Sequence, residues 1–302
     1  MAMSKTNIFH ALHEQAIVEV AQTKSFTKAA KNINLTQSAV SHAVANLETE
    51  FGLTLLLRSK TCVSLTAAGE KVYRFARNIV RDVEAMHQAM SKMKGVTKGK
   101  IRVGVFPSVA ASLMPGIITM FHQAYPEIEI VIFEGTDFEV LEWIRSGAVD
   151  TGFVTLPNKE FATTYVIQDE FRLLIPIRHG LARCTSLEVS QIAREPFIMS
   201  LGGCELFIRE LFAENDLSPN VKYEVRDMAT LIAMVREGLG ISIAPTLSLP
   251  PKIDSFVALP FKRPAYRQLA LATKVKQEKL PVVEEFIEKI RSWVSVSQLS
   301  QS

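Results

Sequence analysis

Ten residues, Gln37 to Asn46, contain no charged side chain but several that hydrogen bond. Wound as a helix, they would turn Gln37, Ser38, Ser41, His42, Ala45 and Asn46 outward. Short hydroxyl and amide groups can come close to base edges in the major groove. An ordinary solvated helix more often carries Lys and Glu there. Lys28 and Lys31 lie just upstream, where they would meet phosphates. A second set is scattered: Ser108, Thr155, Ser200, Gly202, Gly203, Cys204, Asp227, Met228 and Pro245. Each sits at or beyond the end of a short apolar run, or at the start of a helical one. In open α/β sheets that is where ligands bind. Glycines there let a ligand approach the backbone, and a helix N-terminus favours anions. Taken singly, Ser108 or Asp227 could equally be a helix cap.

Other chemistry is missing from the sequence. It has no GxSxG elbow, Walker loop, HExxH or CxxC, so an enzyme is not expected. His10 and His13 are three apart and could share a metal, but a solvated pair is the simpler reading, and no metal or cofactor is expected. Cys62, Cys184 and Cys204 are an odd, sparse set, which favours a reducing cytoplasm over a disulfide scaffold. Cys204 follows two glycines near a helix start, where a thiolate would be favoured, so a Cys204/Cys184 redox switch is an alternative.

The elements that must hold the first set can be read directly. Thr36 can cap a helix whose Val40, Val44, Leu47 and Phe51 share one apolar face. A shorter helix, about Thr27 to Ile33, precedes it across a turn of about three residues, with Ala29 and Ala30 permitting a close crossing. A third, about Ile8 to Thr23, packs behind through Leu12, Ala16, Ile17 and Val20. This spacing suits a helix-turn-helix, and equally a plain helical hairpin with a polar outside.

The detailed stretch "SFTKAAKNINLTQSAVSHAVANLETEFG" separates the two. It closely resembles the DNA-binding motif of LysR-type transcriptional regulators, and "LLLRSKTCVSLTAAGE" continues the likeness into a wing and the next helix. The resemblance implies a winged helix-turn-helix over residues 1–66. Thr27, Lys28, Lys31, Thr36, Gln37, Ser38, Ser41 and His42 would then face DNA, with Arg58 and Lys60 in the wing. His42 stands where many members carry Arg, which would remove a bidentate guanine contact. Leu57 stands where Phe is common.

From Thr66 to Met93 an apolar seam repeats by heptads: Val72, Ala76, Ile79, Val83, Met86, Met90 and Met93. That pattern favours a coiled coil, although a lone amphipathic helix lying on its own domain would show it too. The resemblance makes residues 67–94 the dimerisation helix. Lys94 to Lys100, with two glycines, reads as a hinge.

The remainder, 95–302, alternates strands and helices, implying an α/β domain with a mainly parallel sheet. Two lobes are expected, one from about 100–162 and 267–299, the other from about 163–266. The strands include "IRVGVF", "EIEIVIFEG", "VDTGFVT", "EFRLLIPI", "PFIMS" and "GISIAP". "SVAASLMPGIITMFHQAYP" reads as one helix, and "DFEVLEWIRSG" as another capped by Asp137. The arrangement resembles a periplasmic solute-binding protein and the LysR-type effector domain, and "RHGLAR" resembles that family's His-Pro-Leu-Ala turn with Gly180 for Pro.

Charge follows the same division. Met1 to Lys94 holds 12 Lys/Arg against 7 Asp/Glu, leaving 22 against 24 for the rest, so the excess of +3 comes from the N-terminal third. A polyanion suits that third. No run approaches the roughly 18–20 apolar residues of a membrane span, and Met1 to His13 does not read as a signal peptide. The expected partners are promoter double-stranded DNA, a small-molecule effector, further copies as homodimer or homotetramer, and RNA polymerase. A small organic acid is one effector candidate, although no Arg or Lys is fixed at the cleft by sequence. A solute-binding α/β protein with an accessory helical domain is the alternative from another class.

Overall fold

The computed structural model describes residues 10–58, 63–93, 98–275 and 280–299. Lys60, Cys62 and the start of the expected hinge lie outside them, as does the Met93 side chain. Met1–Lys98 and Gly99–Ser302 pack as separate units.

In the first unit, α1 (His10–Thr23), α2 (Phe26–Asn32) and α3 (Gln37–Phe51) are followed by a wing of β1 (Leu56–Arg58) and β2 (Val63–Leu65), then α4 (Ala67–Met93). Two hydroxyls set the helix starts. Ser25 accepts from the Lys28 N–H, and Thr36 accepts from the Ala39 N–H at 3.2 Å, each satisfying a donor that the helix leaves orphaned. Between them Asn34 takes the left-handed conformation at φ 54°, which reverses the chain within three residues. Ala16, Ile17, Ala29, Val40, Val44 and Leu47 are all buried, so the three helices share one core.

Two expected core residues do not join it. Leu12 is exposed on the first turns of α1, and Phe51 is 48 % exposed on the last turn of α3. The chain reverses directly after it, at Gly52 (φ 63°). Phe51 instead lines an apolar groove with Leu53, Phe75 and Ile79. The heptad seam of α4 likewise divides. Ala76 is buried and Val72 half-buried against the unit's own core, whereas Ile79, Met86 and Met90 are exposed.

The second unit runs β3 (Gly99–Val105), α5 (Pro107–Ser112), α6 (Met114–Ala124), β4 (Ile128–Glu134), α7 (Asp137–Ser146), β5 (Thr151–Leu156) and β6 (Ala162–Pro176). It continues with α8 (Val189–Ile192), β7 (Pro196–Ser200), α9 (Glu205–Ala213), β8 (Asn220–Val225), α10 (Met228–Arg236), β9 (Ser242–Pro245), β10 (Phe256–Thr273) and α11 (Pro281–Leu299). The large sheet has the order β4-β3-β5-β10-β6-β9, and β7 pairs with β8 in a small parallel sheet. The β4-β3-β5 part is parallel, whereas β5–β10, β10–β6 and β6–β9 all pair antiparallel. The large sheet is therefore mixed rather than mainly parallel. The cause is that β6 and β10 are long strands crossing between the lobes, and β6 is longer than "EFRLLIPI" indicates. One lobe packs Phe121 edge-on to Phe286, and the other closes over Phe171, Phe197 and Phe212.

Two helix starts differ from expectation. The single helix after β3 breaks at Leu113 into α5 and α6, because Pro115 supplies no N–H and takes a first-turn position. The cap of α7 is Thr136, in a reciprocal capping box with Glu139. Asp137 is thereby released from capping.

A Cβ on Gly69 would lie 2.1 Å from the Leu55 carbonyl oxygen, where α4 crosses the chain entering the wing. Gly69→Ala should cost about 1–3 kcal/mol, the usual range for overpacking. Gly180→Ala, which meets nothing within 4 Å, should be neutral. Denaturant midpoints of the two variants check the contrast.

Candidate functional site

The structure turns the uncharged surface of α3 outward. Gln37, Ser38, His42, Ala45 and Asn46 are exposed and Ser41 half-buried, with Thr27, Lys28 and Lys31 exposed on α2. Thr36 is committed to the helix cap and lies 3.0 Å from the Ser38 hydroxyl, which narrows that rotamer's freedom. Arg58 is restrained within the domain: its guanidinium lies 3.6 Å from Glu48 and stacks 4.9 Å above the Phe26 ring. Glu48 also accepts the N–H groups of Leu55 and Leu56, so one carboxylate fixes both the wing's entry and its arginine. The Arg58 side chain keeps 46 % exposure.

In the second unit a cavity of about 580 Å³ opens at the ends of β3, β5 and β7. It gathers Ser108, Thr155, Ser200, Gly202 and Gly203, with Cys204, Asp227 and Met228. Pro245 does not join them; it is buried in β9 opposite Phe171. The Gly202–Gly203 turn needs its glycines: a Cβ on the first would lie 2.8 Å from the Arg226 carbonyl oxygen, and the second has φ +108°. Asp227 accepts from the Thr230 N–H at 2.7 Å, so it caps α10 as well as lining the cavity. That hydrogen bond, with one to the Thr230 side chain, holds its carboxyl below the ordinary range.

Cys204 corrects an expectation. It is buried, and burial pushes its thiol up despite the opposing charge of Arg267. The neutral thiol is therefore favoured, not the thiolate. Cys184 is half-buried, and both cysteines are free.

Of the cavity's charged residues the sequence pointed to Asp227 but not to Arg267, Asp137, Glu134 or Arg226. Arg267 donates to Asp169 at 2.7 and 2.9 Å and to the Ser108 hydroxyl at 2.7 Å. Asp169 is in turn accepting from the Thr246 hydroxyl and the Leu247 N–H. Neither Arg267 nor Asp169 stands out locally: β6 also carries Glu170 and Arg172, and β10 also carries Lys262 and Arg263. Their pairing becomes visible once β6 and β10 are in register, Arg267 opposite Asp169. Asp137 accepts from the Thr155 N–H at 3.2 Å, yet burial keeps its carboxyl above the ordinary range.

That shift has a testable sign. A carboxyl raised in the folded state binds its proton more tightly there than in the unfolded chain, so its ionisation at neutral pH costs stability. Asp137→Asn should therefore raise Tm at pH 7. The gain should vanish as pH falls below the ordinary carboxylate range, which thermal melts across pH would show.

Comparison with known proteins agrees with this geometry. Residues 13–70 match the bacterial regulatory helix-turn-helix family of lysR type, and residues 94–295 match the LysR substrate binding domain. The HTH-type transcriptional regulator YvbU of Bacillus subtilis is 31 % identical over 277 residues, covering 91 % of this chain and 95 % of that one. The dual regulator OxyR of Escherichia coli is 28 % identical over 262 residues, with 83 % and 85 % covered. A full-length OxyR variant from Pseudomonas aeruginosa shares the fold at TM-score 0.77 and 22 % identity, covering 96 % of this chain and 95 % of that one. An amino-terminal helix-turn-helix and a two-lobed ligand domain on one polypeptide place this chain in the LysR family of transcriptional regulators.

Proposed function

We propose that two copies of this chain present α3 to successive major grooves of a roughly palindromic promoter site, and that a small molecule in the cleft alters that presentation. The observation that carries the reading is the outward face of α3: from Gln37 to Asn46 its exposed residues are uncharged hydrogen bonders or alanine. Specificity rests on Gln37, Ser38, Ser41 and His42, which reach base edges. Affinity rests on Lys28, Lys31 and, in the wing, Arg58 with Lys60, which take phosphates. With His rather than Arg at position 42, one guanine contact is replaced by a shorter donor.

Dimerisation uses the half of the α4 seam that the chain's own core leaves uncovered, Ile79, Val83, Met86 and Met90. Pairs of dimers, contact with RNA polymerase and a cytoplasmic site of action belong to the same reading. None of the described helices is long and apolar enough to cross a membrane. The chain acts by binding, not by catalysis. A thiol switch is disfavoured because Cys204 is held as the neutral thiol.

Gel shift on DNA upstream of the chain's own or an adjacent gene tests the groove assignment. Ser38→Ala with His42→Ala should weaken specific binding at least tenfold and leave random-DNA binding within about twofold, since base contacts are worth about 1–3 kcal/mol each. Equal losses on both DNAs would refute it. Sedimentation of Ile79→Asp with Met86→Asp should show monomers; an unchanged dimer would place the interface elsewhere.

A further inference from the structure

The two walls of the cleft carry different chemistry. On the wall built by the ends of β4 and β5 and the start of α7, Glu134 and Asp137 are the charged lining residues, and neither forms an ion pair among the described residues. Asp137 is half-buried, with one oxygen taken by the Thr155 N–H. Arg267 acts on it electrostatically, but the Nε and Nη2 groups of that guanidinium are engaged by Asp169 and Ser108. A carboxylate in this position lacks a cation.

On the opposite wall the carboxylate of Asp227 accepts the N–H and hydroxyl of Thr230 as the α10 cap, and the neighbouring groups are donors. Ser200 is 2 % exposed, lines the cavity, and has no hydrogen bond to its hydroxyl among the described residues. The N–H groups of Gly203 and Cys204, leading into α9, likewise donate to nothing there, and α9 has no side-chain cap. Donors that line a cavity without a protein partner are free to be met by an oxygen of a ligand. A helix N-terminus with free donors favours a negative oxygen. Arg226 lines this wall as well.

Resting on the reading of this cavity as the effector cleft, we propose that its ligand is a small zwitterion of amino-acid type. Its ammonium group sits against Asp137 and Glu134, and its carboxylate meets the Ser200 hydroxyl and the Gly203 and Cys204 amides. Such a molecule completes both walls at once, which neither a simple carboxylate nor a simple amine can do. It also spans the two lobes, so its binding energy goes into holding them together.

The test is thermal shift and calorimetry on the full chain with each of the twenty amino acids at 10 mM, on the order expected for weak metabolite sites. Each amino acid that binds is compared with its des-amino carboxylate and its decarboxylated amine. At least one amino acid should raise Tm and bind at least tenfold tighter than both counterparts. Asp137→Asn and Ser200→Ala should each weaken it at least tenfold, with the unliganded Tm reporting that each variant folds. A des-amino acid that binds equally well, an Asp137→Asn variant with unchanged affinity, or no shift from any amino acid would overturn the proposal. A carboxylate bound in a manner sensitive to Thr155→Ala would sink the zwitterion while leaving the effector cleft standing. Binding of any of these probes that ignored Asp137, Ser200 and Thr155 alike would remove the cleft itself.

Discussion

The ion pair between Arg267 and Asp169 organises the ligand domain. Asp169 is fully buried at its side chain and Arg267 is 10 % exposed, so both charges are taken out of water. Desolvation on that scale is recovered only where the geometry is good and every remaining donor and acceptor is used. On the Asp169 side this holds: one oxygen accepts twice from the guanidinium, and the other accepts from Thr246 and Leu247. The same guanidinium reaches Ser108 at the start of α5 and lies over the rings of Phe106 and Phe171. One buried pair thus ties the crossing strands to an element of each lobe. Removing either partner alone would strand a buried charge, at a cost of about 3–5 kcal/mol.

That commitment decides what the cleft can recognise. An arginine in a ligand cavity is usually read as an anion anchor. This one has Nε and Nη2 engaged by Asp169 and Ser108, so its charge is largely balanced inside the protein. Charge in a lining has to be counted after internal pairing. Counted so, the cavity is carboxylate-rich on one side and donor-rich on the other.

Much of this was legible before the fold was known. The helix-turn-helix could be read because its determinants are local: the Ser25 and Thr36 caps, the Ala29–Ala30 crossing and the three-four spacing of Val40, Val44 and Leu47 all act within a few residues. The cleft's glycines and hydroxyls could be read because they follow strands. Asp137 was assigned a capping role that Thr136 in fact fills, since the two side chains compete for the same donors and sequence alone does not rank adjacent oxygens. Phe51 shares the spacing of the buried face but ends α3, directly before the chain reverses at Gly52. Arg267 and Asp169 escaped because their relation is one of strand register over 98 positions, and no local pattern encodes it.

β6 and β10 run unbroken through both lobes, laddered to one another almost from end to end, with register shifts at Pro260–Ala265 and Leu269–Ala270. A two-stranded ribbon keeps its hydrogen bonds under torsion but loses them under sliding or stretching. Were the lobes to move against one another, a twist at those irregularities would therefore cost fewer ladder bonds than a slide. The quantity such a ribbon is built to vary is an angle, not a displacement.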